Sequence, residues 1–268
     1  MLHKWPGYVW IVRHGESAGN VARHAAEAAK LPTVDLAMRD CDVPLSELGE
    51  RQAVALGGWF ARLPEDTRPT VILASPYLRA YETALRIRDR LGGRECRRAI
   101  CTPADQMGAS GPEVITDERL REREFGILDG LTKIGIALHQ PQQAELRKLL
   151  GKFYHRPPGG ESWCDIILRL RSVLDSMSIE FADQRILIVC HSVVVLCFRY
   201  LFERMTEGEI LAIDRQGEVA NCSVTAYAYD PPRAARGSAM ALESFNFVAP
   251  LEEAGERVTL APDEPLPR

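Results

Sequence analysis

The stretch Tyr8-Val9-Trp10-Ile11-Val12-Arg13-His14-Gly15-Glu16-Ser17-Ala18-Gly19-Asn20 sets an apolar run directly against charged groups. Tyr8 to Val12 predicts a short strand buried on both faces, because a continuous apolar run leaves no side of the strand for water. Arg13-His14-Gly15-Glu16 then stands at the carboxyl end of that strand, and an alanine-rich helix is expected from near Ser17 to Lys30. The residue types suit an anion. Arginine offers a planar fork of donors that matches phosphate oxygens. Gly15 lets backbone come close to a ligand, and the free N–H groups of a helix start attract negative charge.

The pattern of a strand running into polar residues and then a helix returns further along. Leu31 to Val43 reads as a loop, and Pro44-Leu45-Ser46 leads into a helix carrying Ala53, Leu56, Trp59 and Phe60. Val71 to Ala74 is expected as the second strand. Ser75-Pro76 follows as a helix start, with serine as the N-cap and proline in the first turn. That helix runs to about Leu91 and is closed by Gly92-Gly93. Arg79 falls in its first turn, a cation set against the helix dipole, which a bound anion would offset. Ala99 to Thr102 is a candidate third strand. Ser162 and Asp165 form a capping box for a helix whose buried face is Ile166, Leu170, Val173, Leu174, Met177 and Phe181. Ile186 to Cys190 is the clearest strand, with His191 and Ser192 at its end and a helix beyond, and Val224 to Tyr229 is a further one.

Strands alternating with helices define an α/β fold: a three-layer sandwich with a mainly parallel central sheet and helices on both faces. A helical insertion is expected over residues 131–158. Residues 1–230 are read as one α/β domain, with the insertion over the site. Residues 231–268 are read as a C-terminal extension whose end, Ala261 to Arg268, is expected to be disordered. In such sheets ligands bind beyond the carboxyl ends of the strands. His14, Ser75 and His191 all fall there.

Composition narrows the function. The 268 residues are 46% hydrophobic and 26% charged, with a formal net charge of −4, a balance that gives no support to a nucleic-acid-binding role. The 7 cysteines are odd in number, scattered and without a CxxC pair, which suits reduced thiols. No signal peptide opens the chain, and the longest apolar stretch, Ile186 to Phe198, is too short to span a membrane. A cytoplasmic protein with no membrane partner is expected. There is no GxxxxGK[ST] loop for a kinase, and the 6 histidines are too dispersed to suggest a metal centre.

Taken singly these signals are weak. A histidine at a strand end is usually structural, and Glu122, in the charged run Asp117 to Glu124, reads as part of a solvated face. Their order along the chain is specific. Arg13-His14-Gly15-Glu16-Ser17-Ala18-Gly19-Asn20 resembles the RHGExxxN signature of histidine phosphatases, in the branch that includes cofactor-dependent phosphoglycerate mutases. The resemblance continues through Pro44 to Gly49 with Gln52-Ala53, then Ser75-Pro76-Tyr77-Leu78-Arg79-Ala80 with Thr83-Ala84. It includes Leu120-Arg121-Glu122 with Phe125-Gly126 and Gly130, then Gly159-Gly160-Glu161-Ser162, and closes at Val189-Cys190-His191.

The resemblance implies roles position by position. His14 would be the nucleophile that takes the phosphoryl group. Arg13, Arg79 and His191 would clamp its oxygens, with Asn20 assisting, and Glu122 would protonate the leaving oxygen. Ser17, Asn20 and Ser192 fall on the substrate-binding side. A general acid must hold its proton, so Glu122 is expected to have a raised pKa. No metal is required where arginines supply the positive charge, and no cofactor is implied beyond a 2,3-bisphosphoglycerate primer if the protein is a mutase. Ser192-Val193-Val194 stands where many relatives continue with glycine, which argues against a mutase. Arg147-Lys148 and Arg156 are the candidate contacts to a substrate carboxylate. The expected function is a phosphatase acting on a small phosphorylated metabolite. The alternatives are phosphoglycerate mutase-type transfer and a non-enzymatic phospho-ligand-binding module. Selectivity is assigned to the insertion Leu131 to Pro158 and the loop Leu31 to Val43. Oligomeric state is not legible.

Overall fold

In the computed structural model of the protein, which describes residues 5–92, 111–234 and 239–261, a single mixed sheet forms the middle layer. Its strands are β1 (Tyr8–Arg13), β2 (Val71–Ala74), β3 (Glu113–Thr116), β4 (Arg185–Cys190), β5 (Val224–Tyr229) and β6 (Met240–Phe247), in the order β3-β2-β4-β1-β5-β6. The first four in that order run parallel, and β5 and β6 each lie antiparallel to the strand before them. Ala99 to Thr102, the candidate third strand, lies outside the described residues.

The apolar runs form central strands because their alternate side chains enter two different cores. Val9, Ile11, Ile186 and Ile188 face one cluster, together with Trp163 and Leu170. Trp10, Val12, Leu187 and Val189 face the other, together with Leu56 and Phe60. The second face is covered by α2 (Glu47–Arg62) and α3 (Leu78–Arg90), which follow α1 (Ala18–Ala28) in the chain. The insertion supplies α4 (Lys133–His139) and α5 (Pro141–Tyr154). The first face is covered by α6 (Trp163–Glu180) and α7 (Ser192–Glu203). The expected capping box is present at the start of α6, where the Ser162 and Asp165 side chains each accept from the other's backbone N–H.

Two expectations are corrected. The helix expected at Ser75-Pro76 begins instead at Leu78, after Tyr77 as N-cap. Ser75 Oγ accepts from Tyr77 N at 3.3 Å, ahead of the first helical residue, and also lies 2.8 Å from His191 Nε2. The segment beyond 230 is not merely an extension. β6 pairs with the outer edge of β5, and α8 (Ala249–Glu253) adds Leu251 to the second core. In β6 only Met240 is buried, and in β3, at the other edge, only Val114, so both edge strands lack the apolar pattern that betrays β1, β2, β4 and β5. Residues 262–268, expected to be disordered, lie outside the described residues.

The parallel strands end level. Arg13 stands opposite Cys190 and Ala74 opposite Val189. His14 N then donates to the Cys190 carbonyl and Ser75 N to the Val189 carbonyl, each at 2.9 Å. α2 closes on this rim through Gly49, where an added Cβ would stand 1.9 Å from the Glu16 carbonyl oxygen. That contact is backbone against backbone and has no flexible side chain to give way. Gly49→Ala is expected to lower stability by about 2 kcal/mol or more, the usual cost of overpacking, as measured by urea denaturation. An unchanged midpoint would show that the two segments part without cost.

Candidate active site

The turn after β1 is held at each peptide in succession. The His14 carbonyl accepts from Asn221 Nδ2 at 3.0 Å, and Gly15 N donates to Thr83 Oγ1 at 3.1 Å. Glu16 N donates to Gln52 Oε1 at 2.9 Å. Buried backbone groups must be paired, and here the partners are side chains from three other parts of the chain. Ser17 then caps α1 in a reciprocal pair with Asn20.

His14 is fully buried. Its Nδ1 lies 2.6 Å from the Gly15 carbonyl. A carbonyl only accepts, so Nδ1 carries the proton and Nε2 keeps the lone pair. That lone pair accepts from Arg79 Nε at 3.2 Å. Burial, with the charges of Arg79 and Arg13 alongside, holds the imidazole well below its ordinary pKa. The ring is therefore neutral, with its lone pair at Nε2.

His191 packs beside it, with ring centroids 5.1 Å apart. Ser75 Oγ accepts from Tyr77 N at 3.3 Å and meets His191 Nε2 at 2.8 Å. If the hydroxyl proton goes to Nε2, Nδ1–H is left to face Glu122 Oε2 at 3.6 Å. Burial lowers the His191 pKa too, helped by Arg79 and His14. Glu122 is 2% exposed, and its Oε1 accepts from Arg123 N at 2.8 Å. The loop that carries it is braced from below, where Arg169 Nε donates to Glu161 Oε1 at 3.0 Å and Arg123 Nε to the Glu161 carbonyl at 2.8 Å.

The two arginines are differently placed. Arg79 reaches the loop between α1 and α2, donating from Nη1 to the Asp40 carbonyl at 2.6 Å and from Nη2 to Asp40 Oδ2 at 3.1 Å. Arg13 is fully buried and donates from Nη1 to the Val219 carbonyl at 2.6 Å and from Nη2 to the Ala261 carbonyl at 2.8 Å.

Above the histidines lies a cavity of about 180 Å³. Of the residues expected from the sequence, Ser17, Asn20, Arg79 and Glu122 line it. His14, His191 and Arg13 lie buried and do not line it. Ser192, also buried, opens α7 and is not in the lining. The outer wall adds Arg23, Asp40 and Asp129 beside apolar Leu36, Met38 and Phe125. Arg147, Lys148 and Arg156, the candidate carboxylate contacts, do not line it. Lys148 pairs with Glu145 and Arg156 with Asp165.

Sequence reasoning missed several of these groups. Gln52 and Thr83 were recognisable only as motif members, with no role attached. Asp40, Asp129 and Asn221 carry no local signal, because their meaning comes from partners distant in the chain. Among the described residues no cluster of His, Cys, Asp and Glu could hold a metal ion, and no helix is long and apolar enough to cross a membrane.

An α/β sandwich with two histidines and an arginine at one strand rim is the frame of a phosphoryl-transfer site. The model of the histidine phosphatase superfamily (branch 1) matches residues 9–97 and 95–236. The chain belongs to that family. Relatives include a metal-independent phosphoserine phosphatase of Arabidopsis thaliana, 27% identical over 80% of this chain and 73% of its own. A probable phosphoglycerate mutase of Proteus mirabilis is 29% identical over 82% of this chain and 84% of its own. A 6-phosphofructo-2-kinase/fructose-2,6-bisphosphatase of Caenorhabditis elegans is 26% identical over 85% of this chain, which spans 43% of that protein. In fold the chain is similar to a mycobacterial glucosyl-3-phosphoglycerate phosphatase, with a TM-score of 0.64 and 23% identity over 90% of this chain and 98% of that one.

The depressed pKa of His14 has a direct readout. Its ring resonance in proton–carbon NMR, assigned by its loss in His14→Ala, is expected not to titrate between about pH 7.5 and 5.5, whereas a free histidine changes charge near 6.5. A midpoint near the free value would mean that burial and the arginines do not act on it.

Proposed function

We propose that the protein is a phosphatase that hydrolyses small phosphomonoesters through a phosphohistidine on His14. The observation that carries this reading is the division of labour on the imidazole: Nδ1 is tied to the Gly15 carbonyl, and Nε2 presents its lone pair to the Arg79 guanidinium. A phosphate drawn to Arg79 takes the place of the imidazole lone pair on the guanidinium. The lone pair is then released toward phosphorus.

The steps balance as follows. Nε2 forms a bond to phosphorus while the bond to the ester oxygen breaks. Glu122 delivers a proton to that oxygen, so the leaving group departs as an alcohol. A water then attacks the phosphohistidine, gives its proton to the Glu122 carboxylate, and frees His14 and inorganic phosphate. Splitting the transfer into two displacements lowers each barrier. Arg79 directs donors at the transferring group, His191 faces Glu122 from behind, and buried Arg13 adds its field without facing the cavity. Ser17 and Asn20 bound the substrate side, and Ser192 acts through the start of α7 rather than by contact.

Hydrolysis is favoured over mutase chemistry by the charges at the cavity's outer wall. A phosphoglycerate carries a carboxylate that needs a cation. Here Arg79 faces Asp40, and Arg23 acts on Asp129. Burial and the nearby Asp40 charge push the Asp129 carboxyl above its usual range, so the two carboxylates sense each other across the cavity. A neutral, hydroxyl-bearing leaving group fits that wall. An acidic one is repelled by it. The scattered, odd-numbered cysteines support a reducing, cytoplasmic setting.

Two experiments test this. His14→Ala is expected to abolish turnover and acid-labile labelling by a phosphorylated substrate while the fold persists. Substantial metal-independent turnover by the folded variant would falsify the covalent route. With wild-type protein, kcat/KM for glycerol 3-phosphate is expected to exceed that for 3-phosphoglycerate by about tenfold or more, a gap that narrows in Asp40→Asn. Conversion of 3-phosphoglycerate to its 2-isomer, with little free phosphate after a bisphosphate primer, would make the protein a mutase.

A further inference from the structure

The family match ends at residue 236, yet residues 257–261 bond Arg13 directly and, through Gln52 and Asn221, reach the turn that carries His14. Thr259 is the hub. Gln52 Nε2 donates to Thr259 Oγ1 at 3.1 Å, and Thr259 Oγ1 donates to Asn221 Oδ1 at 2.9 Å. Asn221 Nδ2 donates to the His14 carbonyl at 3.0 Å. The chain of bonds has one direction. A hydroxyl that receives the Gln52 amide must send its own proton to Asn221. Asn221 turns its NH2 to the His14 carbonyl, which only accepts, and so offers its oxygen to the hydroxyl.

The same logic fixes Gln52. Its NH2 is taken by Thr259 Oγ1 and the Arg257 carbonyl, the latter at 2.8 Å, so its oxygen faces Glu16 N. Both amides are fully buried. Backbone ties hold the segment in place: Asn221 N donates to the Thr259 carbonyl at 3.1 Å, and Arg13 Nη2 to the Ala261 carbonyl at 2.8 Å. Val258 packs against the second core.

We propose that residues 257–261 are a working part of the active site, with Thr259 a positioning residue that orients Asn221 and Gln52 and thereby the His14-Gly15-Glu16 turn. It rests on His14 as the nucleophile. Thr259 touches neither phosphate nor imidazole. It acts by holding both buried amides in place against the turn, whose His14 carbonyl and Glu16 N–H dictate which end of each faces it, and so steadies the aim of Nε2. A small misplacement of a reacting atom costs rate far more than it costs binding.

The test compares Thr259→Val, which keeps the shape and deletes the hydroxyl, with Thr259→Ser, which restores it. The full-length chain is used, with p-nitrophenyl phosphate as substrate and rapid-quench measurement of acid-labile phosphoprotein. Thr259→Val is expected to slow phosphoprotein formation and kcat by about tenfold or more, with KM within about threefold. Thr259→Ser is expected to return both rates to within about threefold of the parent. A structural role alone would lower the unfolding midpoint of Thr259→Val without this split, and Thr259→Ser would not then recover the chemical step selectively. Rates for Thr259→Val within about twofold of the parent, or a Thr259→Ser variant as slow as Thr259→Val, overturn the proposal. A parent that turns over the substrate without phosphorylating His14 overturns the nucleophile assignment itself, and the positioning role with it.

Discussion

The hydrogen bond from His14 Nδ1 to the Gly15 carbonyl decides which nitrogen can react, and much of the surrounding structure serves to keep it. A histidine bonding to the next residue's carbonyl needs that peptide to stay in one orientation. The peptide is held because Gly15 N is taken by Thr83, Glu16 N by Gln52 and the His14 carbonyl by Asn221. Helix α2 can supply Gln52 only by approaching until its backbone touches that of Glu16, and Gly49 permits the approach. The level ends of β1, β2 and β4 then set Ser75 and His191 beside the ring without any loop having to reach for them.

Charge in the site is arranged around this neutral ring. Arg13 and Arg79 are both buried, and each is held by oxygen: Arg13 by two carbonyls, Arg79 by the carbonyl and carboxylate of Asp40. Burial, with their field beside it, keeps protons off His14 and His191. Asp40 has a different standing from the rest. It sits on an exposed loop and offers Arg79 the kind of group that a substrate phosphate would replace. The loop therefore bears on occupancy of the site as well as on selectivity.

Much of the fold was legible because its centre is made of continuous apolar strands whose ends carry the reactive groups. Tyr8 to Val12 and Ile186 to Cys190 announce both the sheet and the position of His14 and His191. The helix start at Ser75-Pro76 falls short of the observed one because a turn from Ser75 to Tyr77 precedes Leu78, and local sequence cannot display that the serine's hydroxyl also meets His191. β6 was missed because an edge strand with one solvated face needs little apolar pattern. Asn221, Gln52 and Thr259 were illegible as a group for a physical reason: each is an ordinary polar residue whose role exists only through partners far away in the chain. Asp40 was hidden in the same way, inside a loop identified only as a place where selectivity would lie, and Asp129 stands just ahead of the insertion identified as the other.

The bond between Arg13 and Ala261 joins positions 248 residues apart. Contacts so remote in sequence form late, since the intervening chain must already be arranged before they gain anything. A chain cut short near residue 250 has every strand of the sheet and every signature motif, but lacks the bonds from residues 257–261. The sheet is thus complete by Phe247, and the bonds that steady Arg13, Gln52 and Asn221 are added by a segment outside it.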